Sequence, residues 1–382
     1  MDRLAQTGLL PQGLGDILPP EAGFEAAAVE RLLAAFAARG YERVKPPLIE
    51  FEEGFLSSAS ADVARQTFRV MDPESRRMMV LRSDITPQIA RIAATRLKDA
   101  PRPLRLSYAG QVLQVSGTQL RPERQFGQAG IELIGADTAL ADAEVVTLAA
   151  ESLRELGLAE LAVDLNLPTL VATVAGALGF AETAIARLRS VLDRKDEAAV
   201  GPIAGKHSEV FIAMLRSFGP VDNALQQLGA IALPDRAQSD LQYLAEAVGL
   251  IRRHSPELAL TFDPVEHRGF EYQSGVSFVL FAPAVRGELG RGGRYRTEGG
   301  EAATGFTLYT DTLLRALPRP QPVNRLLIDS NLPASAAAEL RRQGWITIAA
   351  LSQPADLLSE ARRLGCSHAW IDGKPRPVKI DR

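Results

Sequence analysis

The chain has 382 residues, enough for two or three domains, and its 46% hydrophobic and 6% aromatic content suits an ordinary packed interior. Its 43 basic and 46 acidic side chains are spread along the sequence and leave a formal charge of −3, so no overall positive field draws in a polyanion, and tRNA binding is not expected. No window approaches the ~20 apolar residues of a membrane helix and the N-terminus has no long apolar core; with Cys366 the only cysteine, a cytoplasmic chain without disulfides or membrane contact is expected.

The first periodic segment, residues 23–40, places Val29, Leu32, Leu33 and Phe36 at i, i+3, i+4 and i+7 ahead of Gly40, which predicts an amphipathic helix. YERVKPPLIEF then reads as extended, and FRVMDPESRRMMVLR as a hairpin around Asp-Pro-Glu-Ser. Thr86-Pro87 makes a good N-cap and first helical position, so a helix starts there and Ser83 to Ile85 form its entry. LRLSYAGQVLQV and RQFGQAGIELIG alternate apolar and polar residues around SGTQLRPE and predict an antiparallel pair joined by a mobile loop. Residues 139–157 read as a helix and LAVDLNLP as a strand. From about 169 to 255 the pattern is almost wholly helical, before strands return at ELALTFDP, EYQSGVSFVLFAP and ATGFTLYTD. Gly292-Gly293 reads as a turn. A Pro-rich linker, LPRPQPVN, leads to a short strand-helix-strand-helix-strand tail.

These elements predict an α+β chain: an antiparallel sheet core with flanking helices (1–168 and 256–318), a helical insertion (169–255) and a small α/β C-terminal domain (322–382). Generic catalytic motifs are absent: there is no Walker A sequence, no nucleophile elbow, no His-Glu-x-x-His and no Cys-x-x-Cys. The four histidines, at 207, 254, 267 and 368, are scattered, so neither a metal site nor a cofactor is expected.

Five stretches in order carry a family resemblance: PQGLGDILPPE, PPLIEFEEGF, VLRSDITPQIAR, RQFGQAGIELIG, and HRGFEYQSGVSF with GGRYRTEGG. Over roughly residues 10–318 they resemble the class II catalytic core of histidyl-tRNA synthetase, and within that superfamily the chain looks most like the ATP phosphoribosyltransferase regulatory subunits. The resemblance implies a class II synthetase-like sheet core. It also implies a histidine-binding half-site of Asp84, Thr86, Gln128, Glu132, Arg268, Tyr272, Gln273 and Tyr295. The acid at 84 is one methylene shorter than the synthetase's, and Gln273 replaces a tyrosine that faces the imidazole.

The nucleotide half departs from the synthetase pattern. The Arg and Glu of its second motif fall on Gln114 and Ser116, and the arginine of its third motif falls on Thr312, in a strand read as Gly305 to Thr312, with Tyr309 at a glycine position. A neutral glutamine makes no charge-assisted bidentate contact to phosphate, so ATP activation is expected to be lost and no residue is expected to be catalytic. What the resemblance implies instead is a subunit that binds a short-form ATP phosphoribosyltransferase catalytic subunit in a hetero-octamer, dimerises through residues 40–56, and carries L-histidine feedback inhibition. An active histidyl-tRNA synthetase and a stand-alone histidine-binding protein of the same fold are the alternatives.

Overall fold

The structure, a computed structural model, describes residues 8–57, 59–119, 121–267, 273–319, 324–352 and 356–379. It is divided into two compact units, Met1–Pro318 and Arg319–Arg382. The larger opens with helix α1 (Glu21–Ala37), which buries Leu32, Leu33 and Phe36 at the predicted spacing and leaves Val29 partly covered. Strands β1 (Glu42–Arg43) and β2 (Ile49–Phe51) and short helices α2 (Glu52–Leu56) and α3 (Ala61–Arg65) follow. The expected hairpin forms from β3 (Phe68–Met71) and β4 (Met78–Leu81), and β2 pairs on the other side of β4 to make a three-stranded sheet.

Helix α4 (Thr86–Thr95) starts at Thr86, with Pro87 in its first turn, but no side chain caps it. The Thr86 hydroxyl points elsewhere, 3.3 Å from the Tyr108 hydroxyl. Strands β5 (Leu104–Leu113) and β6 (Gln125–Ile134) pair antiparallel from Leu104↔Ile134 to Leu113↔Gln125. Helix α5 (Ala139–Leu156) begins where Thr138 Oγ1 accepts the Ala141 N–H at 3.3 Å and ends at Gly157, whose φ of 110° only glycine adopts readily. After β7 (Ala162–Asn166) come α6 (Leu170–Ala177), α7 (Glu182–Asp193), α8 (Gly201–Ala204), α9 (Ser208–Arg216), the two-residue strand β8 (Gly219–Pro220), α10 (Val221–Gly229) and α11 (Asp235–His254). The unit closes with β9 (Ala259–Asp263), β10 (Gln273–Phe281), β11 (Gly290–Arg296), β12 (Ala302–Tyr309) and α12 (Thr310–Ala316).

Two local expectations fail here. Gly292-Gly293 is not a turn but the middle of β11, where a Cβ on Gly292 would lie 2.4 Å from the Gly305 carbonyl oxygen; close strand approach, not a chain reversal, requires glycine there. The strand read as Gly305 to Thr312 stops at Tyr309, so Asp311 and Thr312 lie in the first turn of α12.

Nine strands form the main sheet in the order β1-β5-β6-β12-β11-β10-β7-β9-β8. It is mostly antiparallel, with β1–β5 and β7–β9 parallel. Side-chain parity along the central strand β6 decides where each residue goes. Ala129, Ile131 and Leu133 join α1 and α5 in one core, the Ile131 and Leu133 side chains each contributing on the order of 1.5–3 kcal/mol. Phe126 and Ile134 face the other way, into a second core with Ile85, Ile89, Ala93 and Tyr108. Helix α5 is buried nearly all round because the sheet lies on one side and α11 on the other. It is tied to β11 by a buried pair: Arg294 Nη2 and Nε meet Asp142 at 2.9 and 3.0 Å, and Tyr243 of α11 donates to the same carboxylate at 2.9 Å. These groups satisfy one another in a site too dry for an isolated charge.

The smaller unit holds β13 (Arg325–Ile328), α13 (Ala334–Arg342), β14 (Ile346–Ala349), α14 (Leu357–Arg363) and β15 (His368–Ile371) as expected. It adds β16 (Lys374–Pro377), antiparallel to β15, which the sequence reading missed because Lys-Pro-Arg-Pro carries no strand pattern. Its sheet order is β14-β13-β15-β16, and Cys366 is buried with Leu327, Ala361 and Ala369. Among the described residues no helix is long and apolar enough to cross a membrane.

Candidate functional site

The parity that sends Ala129, Ile131 and Leu133 into the helical core leaves Gln128, Gly130 and Glu132 on the opposite face of β6. Register then sets Tyr309, Thr307 and Gly305 of β12 beside them, and Arg291, Gly293 and Tyr295 of β11 one strand further. This grid is the floor of a cavity of about 320 Å³. Its walls are the entry to α4, with Ser83, Asp84 and Thr86, the α3 region with Ser60, Asp62, Val63 and Gln66, and the β5–β6 connection with Gln114, Thr118 and Arg121. Glycine is required in the floor: a Cβ on Gly305 would lie 2.2 Å from Glu132 Oε2 and 2.4 Å from the Ile131 carbonyl oxygen.

Glu132 is the deepest group, 1% exposed. Burial raises its pKa to about 8, and the nearby Asp84 charge pushes in the same direction. Hydrogen bonds from Tyr295, Thr86 and Tyr108 only partly offset this. The Tyr295 hydroxyl donates to Glu132 Oε2 at 2.9 Å. Asp84 is only half-buried. Its pKa too is raised by desolvation, against hydrogen bonds from Gln128 and the Thr86 and Ile85 N–H groups and the more distant Arg291 charge. Gln128 is fixed from the other end, since its Oε1 accepts the Ile85 N–H at 3.0 Å. Four of the residues predicted for the histidine half, Asp84, Thr86, Gln128 and Glu132, therefore share one hydrogen-bonded cluster, and Tyr295 completes it.

Gln273 sits on β10 opposite Tyr295, 5% exposed, and its Nε2 donates to the Gly292 carbonyl at 3.1 Å. Its Oε1 has no hydrogen-bond partner among the described residues, and a Cβ on cavity-lining Gly293 would lie 2.8 Å from that atom. Arg268 and Tyr272 lie outside the described residues. Tyr108 was missed: its hydroxyl lies 2.7 Å from Thr307 Oγ1 and 3.3 Å from Thr86 Oγ1, linking floor to wall. Burial raises its pKa well above 10, followed by the Glu132 and Asp84 charges, so it remains a donor. The register that pairs Tyr108 with Gly130, a small residue that leaves room for the ring, is visible only in the structure.

The other half of the cavity is differently equipped. Gln114 and Tyr309 line it. Ser116 does not; it is exposed and bonded to Gln66 Oε1 at 3.2 Å through both its N–H and its hydroxyl. Thr312 is buried in the first turn of α12. Arg121, which the sequence reading passed over, lies with its guanidinium carbon 3.9 Å from the Tyr309 ring centre and 4.7 Å from that of Phe126. Its Nε donates to Asp311 Oδ2 at 3.0 Å. Arg291, the second lining arginine, is bound to Glu288 at 2.7 Å. Both guanidiniums are thus engaged by carboxylates, while Asp62, Asp84 and Glu132 also line the cavity. The site favours a ligand with cationic or hydrogen-donating groups over a phosphate. Among the described residues no group of three or more His, Cys, Asp and Glu side chains is arranged to hold a metal ion.

The histidyl-tRNA synthetase family model matches residues 13–313. The ATP phosphoribosyltransferase regulatory subunit of Rhodospirillum centenum is 55% identical over 372 residues, covering 97% of this chain and 96% of the relative. That of Paramagnetospirillum magneticum is 54% identical over 368 residues, covering 96% of this chain and 97% of the relative. Among solved structures, an ATP phosphoribosyltransferase regulatory subunit/histidyl-tRNA synthetase from Bacillus halodurans aligns with a TM-score of 0.82 at 25% identity, covering 93% of this chain and 96% of that one.

Proposed function

Because the chain belongs to the histidyl-tRNA synthetase family, in its branch of ATP phosphoribosyltransferase regulatory subunits, we propose that it is a non-catalytic subunit that binds L-histidine in the cavity over Glu132 and regulates a short-form ATP phosphoribosyltransferase. The observation that carries this reading is the asymmetry of the cavity. Its inner half keeps the acid, amide and hydroxyl groups suited to an amino acid, and among the described residues both arginines that line the cavity, Arg121 and Arg291, are paired with carboxylates. Asp84, with Thr86 and Gln128 beside it, suits an ammonium group. Glu132 accepts from an imidazole N–H while Tyr295 holds the carboxylate in place.

Activation of the catalytic subunit and feedback inhibition follow if histidine binds the two states of the complex with different affinity. Self-association has a physical basis in the outer face of the three-stranded sheet, where Ile49, Phe51 and Val70 are 38%, 36% and 41% exposed. The direct test is calorimetric titration of L-histidine into the purified chain. One saturable site that disappears in Glu132→Ala supports the reading, and no heat of binding in the wild type removes it.

A further inference from the structure

The outer half of the cavity has an occupant of its own. Arg121 is tied there to Thr118, whose Oγ1 accepts the Arg121 N–H at 3.0 Å and whose N–H donates to the Arg121 carbonyl at 2.6 Å. The guanidinium then lies on the Tyr309 ring with its Nε on Asp311 Oδ2, and the two charged side chains are only 16% and 13% exposed. Thr312 Oγ1 lies 3.5 Å from Nη2. We propose that Arg121 determines what the cavity accepts: latched by Asp311 and seated on Tyr309, it fills a phosphate-sized compartment and withholds its charge, so the cavity takes an amino-acid-sized ligand and rejects anionic phosphate compounds.

Three features support a latch over an incidental surface pair. The arginine is held from several directions at once, by a ring face, a carboxylate and a hydroxyl. A guanidinium whose charge already faces a carboxylate attracts a second anion less strongly. The carboxylate also keeps an acceptor over: Asp311 Oδ2 faces Arg121 and, at 3.7 Å, Arg315, while its buried Oδ1 has no hydrogen-bond partner among the described residues, so an arriving phosphate meets an acceptor where it needs a donor. And Arg291 is held by Glu288, so among the described residues no other lining arginine makes up the loss.

The inference builds on the proposed amino-acid role of the inner half, but it is tested with a different ligand. Inorganic pyrophosphate is titrated calorimetrically, at low salt, into the full chain and its variants. Asp311→Asn keeps the shape and removes the charge, and it is expected to tighten pyrophosphate binding at least roughly tenfold over wild type, with the gain lost at high salt. Asp311→Asn combined with Arg121→Ala is expected to fall back to the wild-type level. Asp311→Ser serves if circular dichroism shows the Asn variant misfolded. Wild-type binding as tight as the variant's, no gain in a folded Asp311 variant, or a gain that survives loss of Arg121 would each overturn the latch. Failure of histidine to bind would instead sink the functional reading while leaving the pyrophosphate comparison intact.

Discussion

The Tyr295 hydroxyl donates to Glu132 Oε2 at 2.9 Å, joining two strands that are not neighbours: β12 lies between them, and Gly305 leaves the room for the contact. Both partners are buried, and the properties of Glu132 follow from that burial.

Stability should fall with rising pH because of this group. Its folded pKa of about 8 lies above its ordinary value of 4.5, so the native state binds more protons than the unfolded state between those values. The stabilisation present in acid is lost as pH rises toward 8 and the loss levels off above it, amounting to roughly 4–5 kcal/mol for a shift of this size at about 1.4 kcal/mol per pKa unit. Denaturant unfolding from pH 5 to pH 9 should show this slope in the wild type and a shallower one in Glu132→Gln, with Asp84, also shifted up by burial, retaining part of it. Identical slopes in the two proteins would contradict the assignment.

Histidine binding should release protons near neutral pH. The empty site holds Glu132 largely protonated, and an imidazole N–H presented to its carboxylate favours the ionised form. Affinity should therefore rise between pH 6 and pH 8. Calorimetry in two buffers of different ionisation enthalpy should give different observed heats, and equal heats would count against Glu132 as the imidazole acceptor.

Gly305→Ala should damage fold and site together. The new methyl meets the Ile131 carbonyl as well as Glu132, and backbone on the central strand cannot move aside cheaply. A loss of about 2–3 kcal/mol in chemical denaturation is expected, with histidine affinity reduced at least tenfold because Glu132 must leave its position. A variant as stable as wild type would show that the floor is looser than described.

Much of this arrangement was legible in the sequence. The four-residue spacing of Gln128 and Glu132 puts both on one face of a strand, and β6, a central strand of the main sheet, does so. The helix entry after Ser83 was legible from Thr86-Pro87, yet the threonine hydroxyl goes to Tyr108, a choice set by tertiary packing that no local pattern encodes. Gly292-Gly293 read as a turn because glycine pairs usually mark one; only the strand neighbours reveal that close approach to Gly305 is the reason. Arg121 escaped notice because its role depends on Asp311, 190 positions away and in the first turn of a helix that read as strand.

The purified chain should show no histidine-dependent exchange of pyrophosphate into ATP. Gln114 gives no charged grip on phosphate and Arg121 is held by Asp311, so the adenylation step lacks its electrostatic support. Exchange above the enzyme-free background would return the chain to the synthetases.

The central claim is tested most directly by measuring phosphoribosyl transfer to ATP by a short-form catalytic subunit, alone and mixed with this chain, across a histidine titration. The account predicts a several-fold higher rate in the mixture, inhibition by histidine, and loss of that inhibition with Glu132→Ala. A rate unchanged by the chain, or inhibition that survives Glu132→Ala undiminished, would contradict it.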